Sequence, residues 1–214
     1  MIKTAPFETH VEQYEAWYEK YKAVYESELL AIQELLPKTG EGIEIGVGTG
    51  RFASRLGIKK GVEPVAQMGA IAKTRGIEVV SSLAEALPIS KGKFDYVLFV
   101  TIEHLADPEM AFKEAHRILK PEGALIVAFI DKERPLGLQY QKNKQNSTFY
   151  HDANFYSVDE VLGFLKNQEF RDFEFAQTLF GRTLEACNVM QKPVNRYGKR
   201  SFVVIRAYKG GEDV

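Results

Sequence analysis

The 214-residue sequence has a single cysteine, Cys187, so no disulfide can form within the chain. A lone thiol is compatible with a reducing compartment. The longest apolar runs, at 96–100 and 124–130, have the length of strands and are far too short to cross a bilayer. The N-terminal segment has no apolar stretch of the kind found in secretory signals. We therefore expect a soluble, cytoplasmic protein that has no membrane partner.

The chain also lacks an excess of either charge. Its 28 lysines and arginines nearly balance 29 aspartates and glutamates, and the net charge of -1 gives no general attraction to a nucleic-acid backbone. No cysteine and histidine cluster has metal-ligand spacing, and no serine, histidine and aspartate arrangement indicates a catalytic triad. We expect no nucleic-acid partner and no metal. A content of 45% hydrophobic and 27% charged residues is typical of a globular chain, here a single domain over 1–214.

Hydrophobic periodicity divides the chain into a helical start and an alternating remainder. Residues 7–36 carry apolar and aromatic side chains at helical spacing, and we expect them to form one or two helices. Short apolar runs then alternate with helical patterns, which is typical of a doubly wound α/β fold with a mostly parallel sheet. Strands are predicted at 42–47, 61–63, 77–80, 94–100 and 124–130, and helices at 51–56, 64–74 and 108–119.

The C-terminal part departs from this rhythm. Residues 131–156 contain a polar tract and then a cluster of aromatic residues, so we predict that they form a lid or binding loop. Ser157 and Glu160 are the ends of a capping box that opens the next helix. Strands at 173–178 and 201–208 follow without a crossover helix between them, and we predict that they pair antiparallel at the sheet edge.

Closely spaced glycines connect the first predicted strand to the helix that follows it. Gly46, Gly48 and Gly50 permit a tight turn and let the backbone approach a ligand at the carboxyl end of the strand. Glu63 ends the next predicted strand, the usual position for a carboxylate that holds the hydroxyls of an adenosine ribose. A tight turn with an unrelated surface glutamate is the simpler alternative. The whole pattern favours a nucleotide-binding site.

The spacing of these glycines bears on which nucleotide is bound. Pyrophosphate cofactors favour the pattern G-x-G-x-x-G, whereas this sequence has G-x-G-x-G. Glu44 lies two residues before the first glycine. A carboxylate there opposes a pyrophosphate and suits a ligand that carries an ammonium and a sulfonium. An NAD-dependent oxidoreductase is therefore the less favoured alternative.

Two motifs in this order resemble a known family. The string EIGVGTGRF at 44–52 resembles the first motif of class I S-adenosylmethionine-dependent methyltransferases. The stretch from Phe94 to Gly123, with EHLADP at 103–108, resembles their fourth and fifth strand region. The resemblance covers about 41–130 and is strongest to the small-molecule branch that includes ubiquinone and menaquinone methyltransferases. It implies a Rossmann-like methyltransferase fold of seven strands, S-adenosyl-L-methionine as cofactor, and in-line methyl transfer to a small-molecule acceptor.

The resemblance also implies roles for individual residues. Leu83 stands where the family often has an aspartate that binds the adenine amine, so only a backbone contact at Ala84 carries over there. Met68 takes the place of an apolar residue that packs on the adenine. The residues implied to bind the cofactor are Tyr14, Glu44, Gly46, Gly48, Gly50, Glu63, Met68, Ala84, Val100 and Thr101.

Acceptor contacts are less strongly indicated. The aromatic residues at 14–18 form either the buried face of an amphipathic helix or a leading helix that closes over the cofactor, as in related methyltransferases. His104 is either a histidine that hydrogen-bonds its own loop or a general base. The candidate substrate contacts are Trp17, Tyr18, Tyr150 and His151.

These assignments divide the domain into four expected parts: a helical cap at 7–36, a cofactor-binding core at 41–130, an acceptor lid at 131–156, and a C-terminal helix and strands at 157–208. The sequence leaves open whether nitrogen, oxygen or carbon accepts the methyl group. A non-catalytic protein that binds S-adenosylmethionine is the alternative from another functional class.

Overall fold

The computed structural model describes residues 4–210, which form a seven-stranded sheet with helices on both faces. The strands are Gly42–Ile45 (β1), Lys60–Val62 (β2), Glu78–Val80 (β3), Phe94–Val100 (β4), Leu119–Ile130 (β5), Phe170–Thr178 (β6) and Phe202–Lys209 (β7). The helices are Ala5–Thr9 (α1), Val11–Lys20 (α2), Lys22–Leu35 (α3), Arg51–Leu56 (α4), Ala66–Thr74 (α5), Pro108–Ile118 (α6), Pro135–Asn143 (α7) and Val158–Asn167 (α8).

The strands lie in the order β3-β2-β1-β4-β5-β7-β6. Strands β1 to β5 pair in parallel, and β7 pairs antiparallel with both β5 and β6. The mostly parallel sheet with an antiparallel C-terminal edge is thereby confirmed. Strand β5 begins five residues before its predicted start, because Leu119 pairs with Phe94 ahead of an irregularity in the register.

The central strands separate two hydrophobic cores. Leu98 and Ile126 face the core under α3, while Phe99 and Val127 face the core under α6 and α8. Successive side chains of a strand point to opposite faces, so a strand with helices on both sides is apolar throughout. This burial fixes the register of the sheet, and with it the positions at which β1, β2 and β4 end.

Helix α3 packs on the last strands of the chain. The guanidinium of Arg206 on β7 donates a hydrogen bond to the carbonyl of Leu35 at 3.0 Å, and the N–H of Gln191 donates to Ser27 Oγ at 2.8 Å. Leu29 and Ile32 lie in the core between this helix and the sheet. The N-terminal helices are therefore attached to the sheet through elements more than 150 residues later.

The helical start consists of three helices, whereas the sequence predicts one or two. The chain leaves helical geometry at His10 (φ -124°, ψ 35°) and at Tyr21 (φ -111°, ψ 43°). Neither break coincides with a glycine or proline, which are the residues that signal such breaks in a sequence. The prediction of one or two helices allows at most one break, and the structure has two.

Residues 131–156 are more ordered than a loop. They include α7 and a short 3-10 turn at Lys144–Asn146, so most of the polar tract is helical. At Gly137, helix α7 lies close to the backbone just after β5, since a Cβ on Gly137 would overlap the carbonyl of Asp131. The N–H of Leu136 also donates to Ser201 Oγ at 3.1 Å. The segment is an ordered cover fastened to the sheet.

The capping box at the start of α8 yields a test of the fold. Ser157 Oγ accepts from the N–H of Glu160 at 3.3 Å, and the Glu160 carboxylate accepts from the N–H of Ser157 at 2.7 Å. We expect Ser157→Ala to lower the free energy of unfolding in urea by about 1 kcal/mol, the usual cost of a lost N-cap. Ser81→Ala, at an exposed position, is the control and is expected to change it by less than about 0.5 kcal/mol. Equal losses in both variants would contradict the capping role.

Candidate functional site

A covered cavity of about 230 Å³ lies at the carboxyl ends of β1, β2 and β4. The chain crosses from one side of β1 to the other between β3 and β4, and ligands of open α/β sheets bind in the crevice at such a switch point. Helices α1 and α2 and the 131–156 segment cover it. The predicted site residues on its wall are Tyr14, Trp17, Tyr18, Gly46, Gly48, Glu63, Met68, Ala84, Val100, Thr101, His104 and Tyr150.

The glycine turn forms the floor of one end. Gly46 and Gly48 have φ values of 73° and 57°, which a residue with a side chain rarely adopts. A Cβ on Gly48 would lie 3.1 Å from the hydroxyl of Tyr14, whereas a Cβ on Gly46 would meet nothing within 4 Å. The backbone at Gly46 is thus bare toward the cavity, as close approach by a ligand requires.

Gly50, in contrast, has a packing role. It is the N-cap of α4 at φ 81°, and a Cβ there would lie 2.6 Å from Ile77 Cδ1. It is absent from the cavity wall, so the structure does not support the expected direct contact with the cofactor.

Glu63 joins the turn to the loop after β2. Its Oε2 accepts from the N–H of Gly48 at 2.9 Å and its Oε1 from the N–H of Val65 at 2.8 Å. Burial raises the pKa of this carboxyl, and the two backbone donors lower it in part. Each carboxylate oxygen has a second acceptor direction, so Glu63 can still receive hydrogen bonds from two hydroxyls.

Glu44, on β1 just before the turn, is buried and does not line the cavity, so its predicted role in holding the cofactor stays a prediction. Burial raises its pKa well above the usual range, the backbone N–H of Ala53 lowers it in part, and the charge of Glu63 raises it further. Glu44 Oε2 has no hydrogen-bond partner within the described residues 4–210. The carboxyl therefore supports the first turn of α4, because β1 is buried on both faces and directs this side chain into the core.

The opposite wall near the turn contains Met68, Ser82, Leu83 and Ala84. Glu85 also lines the cavity, and its Oε1 accepts from the N–H groups of the two residues that precede α6, at 3.0 and 3.1 Å. No pattern in the sequence indicates this role of Glu85, because the role depends on a contact between two loops.

Glu15 fastens α2 to the turn. Its carboxylate accepts from Thr49 Oγ1 at 2.5 Å, from the Arg51 guanidinium at 2.7 and 3.1 Å, and from the Arg75 guanidinium at 2.5 and 3.2 Å. Burial raises the pKa of Glu15, but the hydrogen bonds from Arg75, Arg51 and Thr49 outweigh it and lower the pKa to about 2. Sequence reasoning missed this cluster, since its four members are separated in the chain.

Aromatic rings close the cavity from above. Phe7 of α1 lies edge-on to His104, with ring centroids 4.8 Å apart, and 5.3 Å from Phe149. Tyr150 stacks on His104 at 5.5 Å and contacts Tyr140 of α7 at 4.8 Å. The cap and the 131–156 segment therefore meet over the cavity.

His151 does not belong to this cluster. Its side chain is 54% exposed, and its Nδ1 lies 2.9 Å from the carboxylate of Asp152. His151 therefore does not line the cavity, unlike the preceding Tyr150, and its role as a substrate contact stays a prediction.

Two buried carboxyls lie at the end of the cavity away from the turn, and neither was predicted. Glu28 of α3 lines the wall, and burial together with the charge of Glu103 raises its pKa to about 8. Glu103 Oε1 accepts from the N–H of Ile130 at 2.8 Å and so joins the ends of β4 and β5. Burial raises the pKa of Glu103 to about 7, against the lowering effect of the Ile130 and Thr101 hydrogen bonds.

A signal for Glu28 was present in the sequence. It lies seven residues after Tyr21, three after Tyr25 and four before Ile32, so it falls on the apolar face of its helix. A charged residue within an apolar stripe is a candidate for function.

Within residues 4–210, no group of three histidine, cysteine, aspartate or glutamate side chains is arranged to hold a metal ion. No helix in that range is long and apolar enough to span a membrane.

Comparison with known proteins links this geometry to a family. A family model described as a methyltransferase domain matches residues 43–127. An uncharacterized protein of Methanocaldococcus jannaschii is 40% identical over 204 residues, which are 95% of this chain and 98% of that protein.

Solved structures agree with this match. A crystal structure from Thermotoga maritima, described as an S-adenosylmethionine-dependent methyltransferase and possible histamine N-methyltransferase, has a TM-score of 0.93 at 45% identity and covers 96% of this chain and 99% of that one. A phosphoethanolamine N-methyltransferase of Haemonchus contortus in complex with S-adenosylhomocysteine has the same fold, with a TM-score of 0.60 at 18% identity over 86% of this chain and 52% of that one.

The Glu15 cluster yields a prediction about the attachment of the cap. Because the folded-state pKa of Glu15 is about 2 and its ordinary value is 4.5, its stabilisation is present above pH 4.5 and is lost as the pH falls toward 2. We expect Glu15→Gln to lower the free energy of unfolding at pH 7 by about 1–3 kcal/mol, and to flatten its decline between pH 4.5 and pH 2. Urea titrations at several pH values measure both.

The matched control is Glu19→Gln, one turn further along α2. Glu19 also pairs with Arg51, at 3.0 Å, but its side chain is 71% exposed. An exposed pair contributes at most about 1 kcal/mol, so the control is expected to lose less and to keep the wild-type pH dependence. If Glu19→Gln matched Glu15→Gln in both respects, the special role of Glu15 would be refuted.

Proposed function

This chain belongs to the class I S-adenosylmethionine-dependent methyltransferases, and from that premise we propose that it methylates a small organic acceptor held in the covered end of its cavity. One observation carries the proposal: a single cavity extends from the glycine turn to the buried Glu28 and is covered by two separate parts of the chain. Such a site encloses a small molecule and excludes water from it. The description of the Thermotoga maritima protein also supports a small acceptor.

The residues present fit the cofactor of this family. S-adenosylmethionine supplies a methyl group already activated on a sulfonium sulfur. The open backbone at Gly46 would admit the methionine part, and Glu63 would accept from the ribose hydroxyls with its unused acceptor directions. Met68 would pack on the adenine, and Val100 and Thr101, which line the same cavity, would border the path to the acceptor. The contribution of the protein is then alignment, electrostatic stabilisation and exclusion of water.

The alternatives drawn from the sequence gain no support. An NAD-dependent oxidoreductase disagrees with the glycine spacing and with the family match. The second alternative is a protein that binds the cofactor without catalysis. The Thermotoga maritima relative does not favour it, because that protein is described as a methyltransferase.

Four finer statements stay predictions: membership of the ubiquinone and menaquinone branch, the cytoplasmic location, the four-part division of the domain, and the lid role of 131–156. The position of 131–156 over the cavity supports the lid role, since that segment and the cap together border the acceptor end. We infer that the segment and the cap separate to admit ligands.

The cofactor assignment is tested on the glycine turn and Glu63. We expect Glu63→Ala to weaken binding of S-adenosylhomocysteine by about 1–3 kcal/mol in calorimetry, the range for losing hydrogen bonds to a charged group. Gly48→Val is expected to abolish binding, because the side chain meets Tyr14 and the backbone has positive φ. Glu78→Ala, at an exposed position of β3, is the control. Binding of NAD with no response to S-adenosylhomocysteine would overturn the assignment.

His104 yields a second test, of its proposed action as a general base. Its ring lies on the cavity wall between Phe7 and Tyr150, within reach of an enclosed acceptor. We expect His104→Ala to lower the single-turnover rate about 10²–10⁴-fold, while the affinity for S-adenosylhomocysteine changes little. The melting temperature of the same variant is the control measurement. A lower melting temperature with an unchanged rate per folded molecule would assign His104 a packing role.

A further inference from the structure

The wall of the cavity has an unusual balance of charge. Within residues 4–210, no lysine or arginine lines the wall, whereas the carboxylates of Glu28, Glu63 and Glu85 do. Glu63 and Glu85 each accept hydrogen bonds from two backbone N–H groups, so their charges are compensated by the fold. Glu28 differs from both.

Glu28 has no such compensation. It is 7% exposed, and that remaining exposure is to the cavity whose wall it forms. The influences on its carboxyl are burial and the charge of Glu103, and no hydrogen-bond donor from residues 4–210 acts on it. A buried carboxylate without a partner is costly, and the pKa of Glu28 rises to about 8 for that reason, so the carboxyl is mostly protonated at neutral pH. A cation that enters the cavity would supply the missing partner and stabilise the ionised form.

The surroundings of Glu28 also suit a cation. Three tyrosines line the same cavity as Glu28: Tyr18 on α2, Tyr140 on α7 and Tyr150 in the 131–156 segment. The other titratable groups close enough for an electrostatic effect are Glu103 after β4 and Cys187 before β7. Burial raises the pKa of each of the three tyrosines above the usual range, so their phenols are neutral. The faces of neutral aromatic rings attract ammonium groups, most strongly where water is excluded.

We propose that Glu28 binds a positively charged ammonium group of the methyl acceptor, with Tyr18, Tyr140 and Tyr150 around it, so that the enzyme selects compact organic amines. The proposal rests on the proposed function, because it assigns the acceptor of that same site. It concerns the group that anchors the acceptor and leaves the atom that receives the methyl unspecified. Glu28 is thus a specificity-determining residue.

The test uses the full chain saturated with S-adenosylhomocysteine. Benzylammonium and 2-phenylethylammonium are the cationic probes, and benzyl alcohol and 2-phenylethanol are the neutral probes of matching size. We expect calorimetry at pH 7.5 to show at least about tenfold tighter binding of an ammonium than of its alcohol. Glu28→Gln is expected to remove that preference, weakening the ammonium at least about tenfold and the alcohol less than about threefold.

Two controls accompany the variant. Glu34→Gln makes the same change at an exposed position of the same helix and is expected to behave as wild type. Glu28→Gln is also expected to raise the melting temperature of the ligand-free protein at pH 8. The raised pKa of Glu28 costs stability as the pH rises from 4.5 to about 8, and the amide lacks that cost. A purely structural carboxylate would give the opposite shift.

The other possible outcomes overturn either the role of Glu28 or the proposed function, and the two cases can be told apart. Equal affinity for ammonium and alcohol probes, or unchanged ammonium binding in Glu28→Gln, would overturn the role of Glu28. So would a variant that binds S-adenosylmethionine more weakly but S-adenosylhomocysteine normally, since Glu28 would then face the sulfonium. Failure of the wild type to bind S-adenosylhomocysteine, or to release it from S-adenosylmethionine with any acceptor of a metabolite library, would instead overturn the proposed function.

Discussion

The carboxylate of Glu15 joins the cap to two other stretches of the chain that are distant from it in sequence. It belongs to the cap, while its donors come from the glycine turn (Thr49), from the start of α4 (Arg51) and from the end of α5 (Arg75). Charge-assisted hydrogen bonds of this kind fix geometry as well as adding energy. Because Tyr14 precedes Glu15, the same cluster sets the distance between the Tyr14 hydroxyl and Gly48. The shape of the cavity above the turn therefore depends on one ionised side chain.

The buried carboxylates around the cavity show how one chemical group is given different properties by its partners. Glu15 receives two guanidinium groups, and its pKa falls. Glu63 and Glu103 receive backbone N–H groups that only partly offset burial, while Glu28 receives none and its pKa rises to about 8. The pKa of each carboxyl reflects two opposing effects: burial removes water and raises the pKa, and each hydrogen-bond donor that replaces water lowers it. The carboxyl with no donor, Glu28, therefore keeps its proton to a higher pH than Glu103, which has donors.

The sequence alone predicts the sheet and its edge. A strand that is buried on both faces appears in the sequence as an apolar run, and a tight turn appears as closely spaced glycines. The residues that reach the cavity by following a strand were also predictable, such as Gly46 and Glu63. Glu44 matches the chemistry of the ligand in type, but the pleat turns it into the core, which the residue type alone does not reveal. The Glu15 cluster and Glu85 could not be predicted, since both depend on contacts between loops distant in sequence. Glu28 was overlooked, although it interrupts an apolar helical stripe.

The attachment of α3 to β6 and β7 has a consequence for the synthesis of the chain. A ribosome releases α3 long before Gln191 and Arg206, which supply its hydrogen-bond partners, have been made. During that interval Leu29 and Ile32 have no β6–β7 surface to cover, and exposed apolar helices of this kind are the usual clients of chaperones. Closure of such a long loop is also slow compared with local helix formation. The cap therefore completes its folding only after translation of nearly the whole chain, so nascent protein has no finished cavity.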